Sequence, residues 1–197
     1  MSKTAVLLPP FIALALAACE AIQPLLPTPP EELDLWSDAA AGVTHPKLAA
    51  LCADVWQAEL RNDPFRATYL GDPRWHGKLP DTSLQGRLAT EAKLRGFLER
   101  LRLIELDSLS GSDRITAALL RSELENGAAR TKLGLEDWSV DPIEGPHVRM
   151  LNLANVQPYQ NERQREQLVD RWEGFASYLR QETRNLERGR LAGLVAS

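Results

Sequence analysis

The side chains of this 197-residue chain with the chemistry for metal binding or nucleophilic attack are three histidines, two cysteines and scattered carboxylates. A zinc site needs three or four converging donors, often with two on one helical face. His45, His76 and His147 fall in three separate loops, with no H-x3-H pair and no HExxH sequence. They read as loop histidines that are hydrogen-bonded or solvated. Ser139, Asp141 and His147 have triad residue types but share one short loop with Pro142, and no G-x-S-x-G elbow presents the serine. Glu123 and Glu125 point to different helix faces and are no acid/base pair. The residues therefore assign no catalytic group, no metal ligand and no cofactor. Trp75 and Trp138 lie in loops, where an aromatic marks a packing plug or a pocket wall. With His76 and His147 they are the pocket candidates. Trp56 and Trp172 fall on or beside apolar stripes and read as core.

Cys19 stands apart because of what precedes it. Lys3 supplies a positive start, Ala5 to Leu16 is apolar but for Pro9 and Pro10, and Ala17-Ala18 are small. The run is too short to span a bilayer, which takes about 20 apolar residues. The junction Leu16-Ala17-Ala18-Cys19 resembles the bacterial lipoprotein lipobox. That resemblance implies cleavage before Cys19, acylation of its thiol and amine, and a stable membrane anchor. Glu20 is not the aspartate that holds lipoproteins at the inner membrane, so the outer membrane, facing the periplasm, is the expected address. Cys52, among Leu48, Leu51 and Val55, reads as a small buried hydrophobe.

Positioning falls to helices. Residues 1–18 read as the signal peptide, 19–43 as a Pro-rich tether, and 44–197 as one helical domain. Leu48, Leu51, Cys52 and Val55 follow helical spacing, which predicts a helix over 46–61 with Thr44 as its cap. A second helix is predicted from Thr82, capped with Gln85, carrying the stripe Leu94, Phe97, Leu98, Leu101 and Ile104. A third starts at Ser112 or Asp113, with Ile115, Leu119, Leu120 and Leu124 inward. A fourth runs over about 160–188, with Leu168, Trp172, Phe175, Leu179 and Leu186 inward and Gly189 as its left-handed stop. Arg163, Arg165, Arg171, Arg180, Arg184, Arg188 and Arg190, interleaved with acids, read as a solvated salt-bridge face. No segment alternates with period two. The expected fold is all-α, a bundle of about four main helices with long loops at 63–81 and 134–159.

Composition agrees with a globular helical body. Hydrophobic residues are 44% and charged residues 25%, and the net charge of -4 argues against a nucleic-acid partner.

The segment Pro64-Phe65-Arg66-Ala67-Thr68-Tyr69-Leu70-Gly71 has the form P-x-x-A-T-x-x-G, and Leu79-Pro80-Asp81 the form L-x-D. Leu103 to Asp107 precedes the next helix, Gly145 precedes Leu151 and Leu153, and Gly189 to Gly193 closes the long helix. In this order, over about 46–197, these resemble the bacterial domain-of-unknown-function family 885. The resemblance implies a largely helical, zinc-metallopeptidase-like protein whose HExxH helix lies far downstream of the matched region. No residue here matches that motif, so no ligand or base carries over. The chain is expected to be a non-catalytic envelope lipoprotein module, corresponding to the N-terminal helical part of such a protein. The alternatives are a truncated or split zinc metallopeptidase whose HExxH half is encoded elsewhere, and a stand-alone ligand- or partner-binding lipoprotein. The implied partners are the membrane, through lipidated Cys19, and a catalytic C-terminal half or another envelope protein. An apolar patch near Trp138 and the flank of the long helix is expected to face such a partner.

Overall fold

A computed structural model describes residues 39–138, 141, 143 and 145–194. The signal peptide, Cys19, most of the tether and Ser139 lie outside the described residues. Within them the fold is all-α, with no strand and six α-helices. These are α1 (Pro46–Asn62), α2 (Pro64–Tyr69), α3 (Leu84–Arg102), α4 (Gly111–Leu133), α5 (Pro146–Leu153) and α6 (Glu162–Leu191). Short 3-10 turns stand at Pro73–Trp75, Leu106–Ser108 and Leu135–Trp138. Both predicted long loops therefore contain structure: α2 and one turn in the first, α5 and another in the second.

Two apolar clusters organise the body. Leu48, Leu51 and Val55 of α1 meet Phe97, Leu98 and Leu101 of α3, Ile104, and Ala117 and Leu124 of α4. This is the three-helix core that the first two stripes predict. Val43 packs on its edge and Cys52 is half-buried against it, with burial pushing the thiol pKa up. The second cluster joins Phe65 of α2, Met150 and Leu153 of α5, and Tyr178 of α6. Phe65 meets Tyr178 edge-on, with ring centroids 5.9 Å apart.

Two helices present a different face from the predicted one. On α4 half of the predicted stripe holds, since Leu124 is buried and Leu120 packs on the core, but Ile115 and Leu119 are both 64% exposed, and the buried line is Asp113, Ala117, Leu124 and Ala128. Asp113 sets this rotation. Its carboxylate accepts from the Thr44 hydroxyl at 2.6 Å and from the backbone N–H groups of Thr44 (3.1 Å) and His45 (3.0 Å). Thr44 is therefore not the cap of α1; the His45 ring accepts from the Leu48 N–H instead. On α6 the buried line is Arg171, Tyr178, Asn185 and Gly189, whereas Leu168, Phe175, Leu179 and Leu186 are half-buried and Trp172 is exposed.

Two terminations shift as well. Ser83, not Thr82, caps α3 by accepting from the Gly86 N–H. Gly189 lies inside α6, and the left-handed turn comes at Gly193, with φ +82°. A Cβ on Gly189 would lie 1.8 Å from the Asp137 carbonyl oxygen. The residue is needed for close approach of the Leu135–Trp138 turn, not for stopping the helix.

Candidate functional site

The most densely bonded point of the molecule is Arg171, which is fully buried. The residues around it come from a segment whose local chemistry is simple. Asp63 caps α2 by accepting from the Arg66 N–H at 3.1 Å, and Pro64 fits the first turn. Gly71, at φ +83°, reverses the chain after α2. Asp72 caps the next turn through the Arg74 N–H and holds the Arg74 guanidinium at 2.6 Å. Burial opposes ionisation of Asp72, but Arg74 outweighs it and keeps the carboxyl below its ordinary pKa.

This curl of backbone turns carbonyls inward, and Arg171 meets them from α6. It donates to the Lys78 carbonyl at 2.9 Å, to Gln157 Oε1 at 2.8 Å, to the Thr68 hydroxyl at 3.0 Å, and to the Pro64 and Trp75 carbonyls. Gln157 in turn donates to the His76 carbonyl at 2.8 Å. The guanidinium carbon sits 5.7 Å from the Phe65 ring centroid, and that of Arg149 sits 4.8 Å from it. Burial, with no carboxylate partner among the described residues, draws the Arg171 pKa down to about 10. Arg171 is thus a knot rather than part of a solvated face. It ties α2, the Trp75 turn and Gln157 to the long helix.

His76 lies against this knot and is 3% exposed, with neither ring nitrogen hydrogen-bonded among the described residues. Burial, then Arg171, lowers its pKa, so the ring is neutral. Trp75 faces the other way and lines an open cleft of about 380 Å³ between the end of α1, the 75–81 segment and α3. Trp138 is 50% exposed beside the C-terminal turn of α6, and His147 is exposed in the first turn of α5. Of the four pocket candidates, only Trp75 lines this cleft. Trp138 follows Asp137, which Arg87 and Arg188 grip at 2.9 Å and 2.6 Å. Leu133, Leu135, Leu191 and Leu194 are exposed at the same end of the body.

Sequence reasoning missed Arg171, Asp113 and the basic lining of the Trp75 cleft. Arg171, Tyr178 and Asn185 share a seven-residue spacing, a signal that hydropathy hides because two of the three are polar. For the zinc centre of the metallopeptidase resemblance, the donor set does not fit. Among the described residues no three His, Cys, Asp or Glu side chains gather. His45 caps α1, His76 lies beside Arg171, and His147 faces solvent.

These observations define an all-α protein whose best-ordered polar chemistry is architectural. Residues 64–197 match the family described as bacterial protein of unknown function, DUF885. The match spans more than half of the chain, so the protein belongs to that family. It begins at Pro64 and leaves α1 outside. No curated protein and no solved structure matches the chain.

Proposed function

We propose that this DUF885 protein is a lipid-anchored, non-catalytic module of the bacterial envelope, corresponding to the N-terminal helical part of a peptidase-like protein. The observation that carries the reading is the Arg171 knot. The most buried ionisable group of the family-matched region spends its donors on carbonyls and side chains of its own fold. Asp113 and Asp72 are committed in the same way. The Leu16-Ala17-Ala18-Cys19 junction supports the anchor and the outer-membrane address. No described helix is long and apolar enough to cross a membrane, so the acyl chains on Cys19 supply the attachment in this reading.

Expression in a Gram-negative host followed by mass spectrometry tests it. The expected product starts at acylated Cys19, fractionates with the outer membrane, carries no stoichiometric zinc and cleaves no peptide. A Cys19→Ala variant that remains processed and membrane-bound refutes the anchor. One zinc per chain, lost on changing His76 or His147, refutes the non-catalytic reading.

The exposed apolar residues around Asp137 favour a second reading, in which a catalytic half encoded elsewhere docks at that end. Its test is co-expression with a neighbouring HExxH-encoding frame. A co-purifying complex that Trp138→Ser weakens supports docking, and independent elution of the two chains refutes it.

A further inference from the structure

We propose that the Trp75 cleft binds a small organic anion, an oxyanion head on an apolar body, independently of how the chain is anchored. The cleft's volume of about 380 Å³ lies within the range of small-molecule sites. Its charge is one-sided. Arg61 enters from the last turn of α1, Lys78 from the segment after His76, and Lys93 from α3. None of the three pairs with a described carboxylate.

Other cations of the fold do have carboxylate partners, such as Arg95 with Glu91, Arg100 with Asp54, Arg149 with Asp63 and Arg188 with Asp137, whereas these three meet at one concavity without any. The only lining carboxylate among the described residues is Asp81, and it already accepts from the Ser83 N–H at 3.0 Å. Three cations against one carboxylate leave two positive charges for a ligand to neutralise.

A further feature suits an oxyanion. Trp75 lines the cleft, and its buried indole Nε1–H has no acceptor among the described residues, so its resonance reports on what binds against the ring. The Arg61 guanidinium carbon lies over the Trp75 ring, 5.8 Å from its centroid. Stacking engages the guanidinium face and leaves its edge N–H groups free for bidentate contact. Pro64 and Leu79 supply apolar wall. Gly86 lets that wall close, since a Cβ there would meet the Asp81 carboxylate at 2.5 Å.

A carboxylate and a phosphomonoester share this chemistry, and the test separates them. The full chain, purified in mild detergent with ¹⁵N-labelled indoles, is titrated with phenylacetate, phenyl phosphate and the uncharged phenylacetamide. The Trp75 resonance is assigned by its loss in Trp75→Phe. It is expected to shift saturably with at least one anion and not with phenylacetamide, the tighter probe identifying the head group. Lys78→Gln and Lys93→Gln alter exposed side chains, so melting should not change, while affinity falls about tenfold in each. A silent Trp75 resonance with both anions, an equal response to phenylacetamide, or unaltered affinity in both variants overturns the proposal.

Discussion

Arg171 Nη2 donates to the Thr68 hydroxyl at 3.0 Å across 103 residues of chain, and that hydroxyl in turn donates to the Pro64 carbonyl at 3.0 Å. The P-x-x-A-T-x-x-G segment is the socket of this contact. Pro64 and Thr68 accept from Arg171, Ala67 is fully buried, and Gly71 turns the chain so that the Trp75 and Lys78 carbonyls follow. The motif that carries the family resemblance is thus explained by a structural bond.

Arg171→Met should therefore destabilise the chain strongly. It preserves an apolar stem but leaves several buried acceptors unpartnered, at roughly 1–3 kcal/mol for each that water does not reach. A loss of at least about 3 kcal/mol is expected in urea unfolding. Arg171→Lys should fall between, because an ammonium keeps the charge without the planar fork. A Met variant within about 0.5 kcal/mol of the parent, the range of an ordinary surface change, would show that the knot contributes little.

Glycine substitutions should separate sharply by position. A Cβ on Gly189 collides with the Asp137 backbone, and the Asp137 carboxylate is also held by Arg188, so Gly189→Ala should cost about 1–3 kcal/mol. Gly96 lies mid-α3 with nothing within 4 Å of its would-be Cβ. Gly96→Ala should stabilise by about 0.5–1 kcal/mol, through helix propensity alone. Thermal melts of the two variants check both signs, and a neutral Gly189→Ala would remove the close-approach argument.

The all-α class and the stripes of α1 and α3 were readable because those helices bury apolar residues at helical spacing into one core. The inward faces of α4 and α6 were not, for a shared reason. Each is led by a buried charge, Asp113 or Arg171, whose partners come from distant segments. Hydropathy puts such residues outside; only the backbone groups they serve bring them in. Elements as short as α2 and α5 are too brief for a periodic signal, so they read as loops. At the candidate site Trp75 was legible as a loop aromatic. Arg61, Lys78 and Lys93 were not, since they are spread over a 32-residue span of chain and only the fold gathers them.

Asp113 should contribute to acid sensitivity. The Thr44 hydroxyl, the Thr44 and His45 N–H groups and the Ser110 hydroxyl all lower its pKa against a desolvation cost. A depressed folded pKa gives stability that is full above the unfolded value of about 3.9 and is lost as pH falls through the lower folded value. Asp113→Asn should remove that contribution, so the gap between parent and variant should be widest near neutrality and narrow in acid. A gap constant from pH 7 to pH 2.5 would place the effect in packing instead.

His76 should act in a higher window. Its ring is buried beside Arg171, with Asp72 the opposing carboxylate and Arg163 a further cation, and burial is the largest cause of its lowered pKa. Below about 6.5 the unfolded chain takes up a proton that the folded ring refuses. The unfolded state then binds more protons, so stability rises with pH in this window and drops as pH falls toward the folded value. The limiting slope for one group is about 1.4 kcal/mol per pH unit. His76→Gln removes the titration while keeping a polar side chain. Urea unfolding at pH 7.5, 6.5, 5.5 and 5.0 should show the parent losing stability faster than the variant below pH 6.5. Above that pH the two curves should run parallel, because the histidine is neutral in both states. Parallel curves throughout would mean that the folded ring titrates as the unfolded one does, and its lowered pKa beside Arg171 would have to be abandoned.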